Sequence, residues 1–495
     1  MTQLNKLISN RSILLILLLA LGLYGYQLGT ESLWFDETYS IESAKGPLNF
    51  NRPLYFLLLR LWLQGGSSEI WLRGLSVLFG LVNVVLVYYL GRQLSDRATG
   101  IGAALLWTLS PLVINHAQEV RFYATSSCLG LAGSLALAYA LERFTVASIG
   151  GWALFRLLGL LTAQVNFLLL LPDALLLGLK IGKARGRLSL KYLKRWSWVL
   201  GILLVPVGVI LVDVVPPLLE FARQAPTLNG VSLHPPGPIN FAGAIATFTA
   251  WPLAAPHPNW TGFYQLFFKG YALAVLGLLG FALWTQRRGG RLYRAAAWGL
   301  LPLASIFAVA QLSTGMWGDR YLLIAAPYFL ILLAAGFRQL WQRRRGLALG
   351  AIALYAIAVG SSLWRYYTVE YRHDWRGLAA IVRAEERRGD RILIYPSFME
   401  NAFDYYYRGS NPVYTIDRQA EVLDTQKALG FPPTGAGENR LWLIYPRFDD
   451  WETDPQKMLK IVEENGFRIQ TKLAIKSQWG EDIHLSLAAS KSASQ

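Results

Sequence analysis

Two adjacent acids, Asp36 and Glu37, sit among aromatic residues in the segment LWFDETYS (33–40), a few residues beyond an apolar run. A carboxylate held at a membrane surface can take the proton of a hydroxyl that attacks a lipid-borne group. The same pair also fits a solvated loop or a helix cap, and spacing alone does not choose between these. A second cluster, HAQEVRFYA (116–124), brings Glu119, Arg121 and Tyr123 within five residues. An arginine's planar fork binds two phosphate oxygens at once, although charged residues at a span's edge also serve as plain anchors. A third cluster, GDRYLLIAAP (318–327), offers Asp319, Arg320 and Tyr321. Arg320 is suited to neutralising a phosphate leaving group, where negative charge grows during transfer.

Such residues act only if the chain holds them at a boundary. Of its 495 residues, 54% are hydrophobic and 16% charged. This balance excludes an ordinary soluble domain and predicts a polytopic α-helical membrane protein. Runs near 10–29, 71–92, 99–115, 121–142, 149–164, 167–182, 197–216, 263–285, 295–313, 321–340 and 347–366 give about eleven spans. Residues 1–366 carry 30 basic and 12 acidic side chains, and the rest carry 17 and 19. Two kinds of domain are therefore expected, 1–366 in the membrane and 367–495 outside it.

The basic residues of the first part lie in short runs between spans, as at Lys183–Arg195, Arg287–Arg294 and Arg343–Arg345. That is the pattern of cytoplasmic loops and not of a nucleic-acid surface. With the N-terminus inside, eleven spans put all three runs in the cytoplasm. The segment 53–63 is short and interrupted by Arg60, so it is expected to lie at the interface. The outer face then receives the loop 30–70, the turn 115–120, the loop 217–262, the loop 313–320 and the tail. This corresponds to a multi-pass protein of the cell's inner (plasma) membrane, with chemistry and tail extracytoplasmic. Lys6 and Arg11 precede the first apolar run, and no small-residue cleavage site follows, so that run is expected to be an uncleaved span. The single cysteine, Cys128, leaves no intrachain disulfide.

In the tail, an amphipathic pattern over 374–390 leads into a buried-strand pattern at 391–395. A second strand pattern at 441–446 and a helix at 455–465 follow, as expected of a soluble α/β domain. Its strand–helix junctions lack a glycine-rich phosphate loop, so nucleotide binding has no support.

In the order LWFDETYS, PLYFLLLRLW, QEVRFYA, DRYLLIAAP, DWRGLAAIVRAEERRGDRILIY and FDYYYRGS, the chain resembles the GT-C superfamily of membrane glycosyltransferases. The resemblance runs with gaps from about residue 30 to 415. It is nearest the bacterial branch related to protein O-mannosyltransferases and the lipid A aminoarabinose transferase. It implies an inverting transferase that takes a sugar from a polyprenyl-phosphate donor. The acceptor would be a lipid, glycan or protein hydroxyl. The family's catalytic aspartate maps to Asp36, with Glu37 beside it, and its second acid to Glu119. Arg121 and Tyr123 map to that acid's companions, and Arg320 and Tyr321 to a late pair expected to face the donor phosphate. The chain departs from the family at Asn51-Arg52-Pro53, where a histidine and two prolines are usual. It departs again at Thr162-Ala163-Gln164-Val165-Asn166, where many members carry a histidine. Both departures bear on donor or acceptor specificity.

The five histidines show no close metal-ligand spacing. Whether Asp36 and Glu119 hold a divalent ion or act without metal stays open. Asp173, inside a span after Pro172, is costly to bury and is read either as functional or as paired with a polar neighbour. Asn259-Trp260-Thr261 fits a glycosylation acceptor pattern, one that is common by chance. The loop 217–262 is either a lid over the acceptor or a passive linker. A lipid or sugar transporter is the main rival. Transporters gather charge near the midplane and show repeats, whereas this chain gathers it at the outer boundary. A non-catalytic assembly protein is the third reading.

Overall fold

In a bilayer every backbone donor and acceptor must be bonded within its own segment, so long apolar runs become helices. A computed structural model describes residues 2–47, 52–143, 145–183, 208, 235–250, 261–286, 290–311, 317–369, 372–416, 429–430, 439–447, 455–475 and 482–490. Among these, Glu69–Leu94, Gly262–Thr285, Leu292–Ala310 and Arg345–Thr368 are helices long and apolar enough to cross a membrane. The pair Arg97–Leu109 and Pro111–Ala117 passes the same test together, bent by 66°. Pro111 has no N–H to continue the first helix, and Ser110 restarts the second by accepting from Val113 N–H.

Helices also occupy other expected runs, at Thr2–Gly25, Tyr123–Ala140 and Ala326–Arg343. The stretch 149–182, long for one helix and short for two, forms Val146–Thr162 and Leu170–Lys183 around a 3-10 turn, Gln164–Leu169. Asn166 holds that joint, its amide donating to Ser126 Oγ at 2.8 Å and to the Gly159 and Ala163 carbonyls. The run expected at 197–216 lies outside the described residues apart from Gly208. Within the expected loop 217–262, Pro238–Thr247 is helical, while 217–234 and 251–260 lie outside the described residues.

The chain divides into two units, and the division does not follow sequence order. The first comprises Met1–Leu28, Pro47–Thr227 and Leu233–Tyr367; the second comprises Gly29–Gly46, Leu228–Ser232 and Thr368–Gln495. In the first, the helix Glu69–Leu94 packs against Thr2–Gly25, Arg97–Leu109 and Tyr123–Ala140. A Cβ on Gly100 would meet the Tyr88 carbonyl at 2.5 Å, so a larger residue would force these helices apart.

Asp173 settles into a buried polar network of the first unit. Its two oxygens accept from Arg156 Nε (2.6 Å) and Nη2 (3.1 Å), and from the indoles of Trp152 and Trp298, each at 2.7 Å. Arg156 also donates to the Gly130 carbonyl and to Ser134 Oγ, which in turn bonds Tyr328 Oη. Arg156 and Asp173 are each 1% exposed. A Cβ on Gly133 would stand 2.8 Å from Arg156 Nη1, so glycine leaves room for the guanidinium. Of the two readings of Asp173, pairing with a polar neighbour is what the structure displays.

The second unit is built on a five-stranded sheet. Its strands are β1 (Arg391–Ile394), β2 (Val413–Thr415), β3 (Arg440–Arg447), β4 (Phe467–Ile475) and β5 (Asp482–Ser490), in the order β2-β1-β3-β5-β4. β1 runs parallel to β2 and β3, and β5 runs antiparallel to β3 and β4. Alternate residues of a strand face opposite sides. Ile392, Ile394, Trp442 and Ile444 therefore meet Leu378 and Val382 of the helix Trp375–Glu385, whereas Leu393, Leu441 and Leu443 meet Met458 and Val462 of the helix Gln456–Glu464.

Candidate active site

Asp36 and Glu37 belong to the second unit, in the first turn of the helix Phe35–Lys45. Successive helical residues point about 100° apart, and the two acids accordingly have different surroundings. Glu37 is fully buried. Its carboxylate accepts from the Trp34 N–H at 3.2 Å and lies 3.4 Å from Arg372 Nη1. Asp36 is partly exposed, one position earlier. Glu37 thus caps the helix and ties it to Arg372, while Asp36 is neither fully buried nor fully exposed.

Further bonds fix this segment to the tail that follows far later in the chain. Ser32 Oγ donates to Asp374 Oδ1 at 3.0 Å, and the Leu33 N–H donates to Tyr406 Oη at 2.6 Å. Asp374 Oδ1 also accepts from the Gly377 N–H, capping the helix Trp375–Glu385. Glu37→Gln retains a capping acceptor but removes the charge facing Arg372. The full chain is expected to lose about 1–3 kcal/mol of stability on that change, seen as a lower unfolding temperature in detergent. An unchanged temperature would show that the ion pair contributes nothing.

Glu119, Arg121 and Tyr123 belong to the first unit, with Arg320 and Tyr321. The turn that carries them is buried: Glu119 is 4% exposed and Arg121 7%. A buried non-helical turn must find partners for its carbonyls, and side chains of the helix Glu69–Leu94 supply them. Ser76 Oγ donates to the Glu119 and Arg121 carbonyls, and Asn83 Nδ2 to the Ala124 carbonyl at 2.9 Å. Gln118 turns away from the acid. Its amide N–H groups donate to the Leu23, Tyr24 and Tyr26 carbonyls at the end of the first helix, and its Oε1 accepts from Tyr366 Oη.

Glu119 faces the preceding helical turn, accepting from Asn115 Nδ2 at 3.0 Å and lying 3.4 Å from His116 Nδ1. The Arg121 guanidinium stands 5.5 Å and 5.7 Å from the Phe122 and Tyr123 ring centres. Tyr123 is within electrostatic reach of Glu119, Arg121 and Arg320, which places these predicted residues in one neighbourhood. Arg320 lies 5.2 Å from the ring of Tyr321. Arg52, one of the departures noted in the sequence, sits 4.2 Å over the Phe122 ring and adds a third guanidinium beside the aromatic pair.

Sequence reasoning passed over Asn115, His116 and the separate role of Gln118. The three- and four-residue spacing of His116 and Asn115 from Glu119 was the available signal, since such neighbours meet on one helical face. Among the described residues, no three His, Cys, Asp or Glu side chains group to hold a metal ion.

The chain shares its fold with solved structures to which it is only distantly similar in sequence. It is similar to the structure of ArnT from Cupriavidus metallidurans bound to undecaprenyl phosphate. Identity is 12%, coverage 96% of this chain and 97% of that one, and the TM-score 0.54. It is also similar to the archaeal oligosaccharyltransferase AglB from Archaeoglobus fulgidus, in complex with an inhibitory peptide and a dolichol-phosphate. There identity is 12%, coverage 89% of this chain and 69% of that one, and the TM-score 0.51. No family model and no curated protein matches the chain by sequence.

Proposed function

We propose that the chain is an inverting glycosyltransferase that moves a sugar from a polyprenyl-phosphate donor to an acceptor hydroxyl on the extracytoplasmic side of the inner membrane. The observation that carries this reading is a GT-C fold spanning nearly the whole chain, with a buried acid and two arginines gathered around Tyr123. The similar ArnT structure is bound to undecaprenyl phosphate, and the AglB structure is in complex with an inhibitory peptide and a dolichol-phosphate. A lipid-linked donor and a lipid, glycan or protein acceptor therefore fit this chain.

In this mechanism Asp36 accepts the acceptor hydroxyl's proton as its oxygen attacks the anomeric carbon. The bond to phosphate oxygen breaks on the opposite face, and polyprenyl phosphate leaves with the bonding electrons. Arg121 and Arg320 stabilise the charge that accumulates there, as preorganised cations can. Glu119 holds its turn by bonding Asn115, and Tyr123 and Tyr321 line the phosphate side.

The test is transfer in membranes containing the chain, using a panel of radiolabelled polyprenyl-phosphate sugars and native envelope acceptors. Transfer from at least one donor is expected. Arg121→Ala should raise the KM for that donor about ten-fold or more, as expected when a charged hydrogen bond is lost. No transfer from any donor would sink the reading.

A further inference from the structure

His116 is 6% exposed, at the end of the short helix Pro111–Ala117 that the 66° bend re-aims. Its Nδ1 lies 3.4 Å from Glu119 Oε2, within reach to donate to that carboxylate. Its ring packs 4.6 Å from the ring of Tyr123. Among the described residues, its Nε2 is buried without a hydrogen-bond partner. A buried polar atom left unmatched carries a desolvation cost of about 1–3 kcal/mol. Folds tolerate that cost at sites where a ligand supplies the partner.

The neighbours decide which ligand that is. A ring that carries N–H on both nitrogens donates one to Glu119 and leaves the other for an anion. Tyr123 lies within reach of the Arg121 and Arg320 charges, and Arg52 stands over the adjoining Phe122. An N–H donor set among guanidiniums matches an anionic phosphoryl oxygen. We infer that His116 Nε2–H donates to a phosphoryl oxygen of a phosphate ester bound in the helical unit, with Glu119 fixing the ring through Nδ1. This deepens the transferase reading by naming one more residue that holds the lipid phosphate.

The test compares parent, His116→Phe and His116→Gln as full chains in detergent. Affinity for a long-chain polyprenyl phosphate and for inorganic phosphate is read by calorimetry, and unfolding of each ligand-free chain by thermal melt. His116→Phe keeps a ring against Tyr123 and removes the donor. It should weaken polyprenyl-phosphate binding about ten-fold while leaving the ligand-free melt unchanged or higher. His116→Gln restores a donor and should recover most of that affinity. A parallel loss for inorganic phosphate places the contact on the phosphate itself. A loss confined to the lipid would overturn it, as would parent-like affinity in His116→Phe. Equal losses of affinity and ligand-free stability would likewise overturn it in favour of a packing role. Histidine-dependent phosphate binding in a chain that transfers no sugar would sink the transferase reading and leave the phosphoryl contact standing.

Discussion

Replacing Asp36 with Asn is expected to lower sugar transfer by about 10²- to 10⁴-fold, the usual contribution of a positioned general base. Asparagine has nearly the same shape and can stay in the first turn of the helix Phe35–Lys45, but it cannot take a proton. Around it, Glu37 accepts from the Trp34 N–H, Arg372 faces Glu37, and Ser32 donates to Asp374. Donor KM should change little, with the loss concentrated in kcat. This outcome separates Asp36 from Glu37, whose replacement acts first on stability. Unchanged turnover in Asp36→Asn would remove the base assignment.

The second large effect is on stability. Asp173→Asn withdraws the counter-charge from Arg156 at a site where both are 1% exposed. Removing one member of a buried pair leaves the other charge uncompensated, which costs about 3–5 kcal/mol. The indoles of Trp152 and Trp298 would at the same time lose a charged acceptor. A steep fall in folded yield and melting temperature is expected, without any requirement that chemistry be affected in the surviving protein. The double replacement Arg156→Met with Asp173→Leu should recover much of the loss, because no unpaired charge remains. Strict additivity of the two single changes would contradict the pairing. The network bonds side chains of five helices, Tyr123–Ala140, Val146–Thr162, Leu170–Lys183, Leu292–Ala310 and Ala326–Arg343. Its role is to fix the bundle that carries the Glu119 turn.

These expectations rest on a division visible in the residues themselves. Hydropathy placed helices such as Glu69–Leu94 and Arg345–Thr368 to within a few residues, because a long apolar run satisfies its own backbone locally. The strand at Arg391–Ile394 and the helices that flank the sheet were legible for a similar reason. Their burial period is written into neighbouring positions. The acids and arginines were legible as residue types, since little other than a carboxylate or a guanidinium serves those chemistries.

What depended on packing could not be read in advance. The segment Gly29–Gly46, grouped by sequence with the membrane part, joins the tail because Ser32, Leu33 and Glu37 find partners some 340 to 370 positions away. Asp173 could have been a functional charge until Arg156, 17 positions earlier, was seen to take it. Gln118 and Glu119 are neighbours in one motif, yet one binds the end of the first helix and the other faces Asn115 and His116. The sequence by itself determined where helices and strands form and which side chains could hold a proton or a phosphate, because those properties are local. Only the tertiary structure decided which charge meets which, because pairing in a low-dielectric interior is settled by where separate elements come to rest.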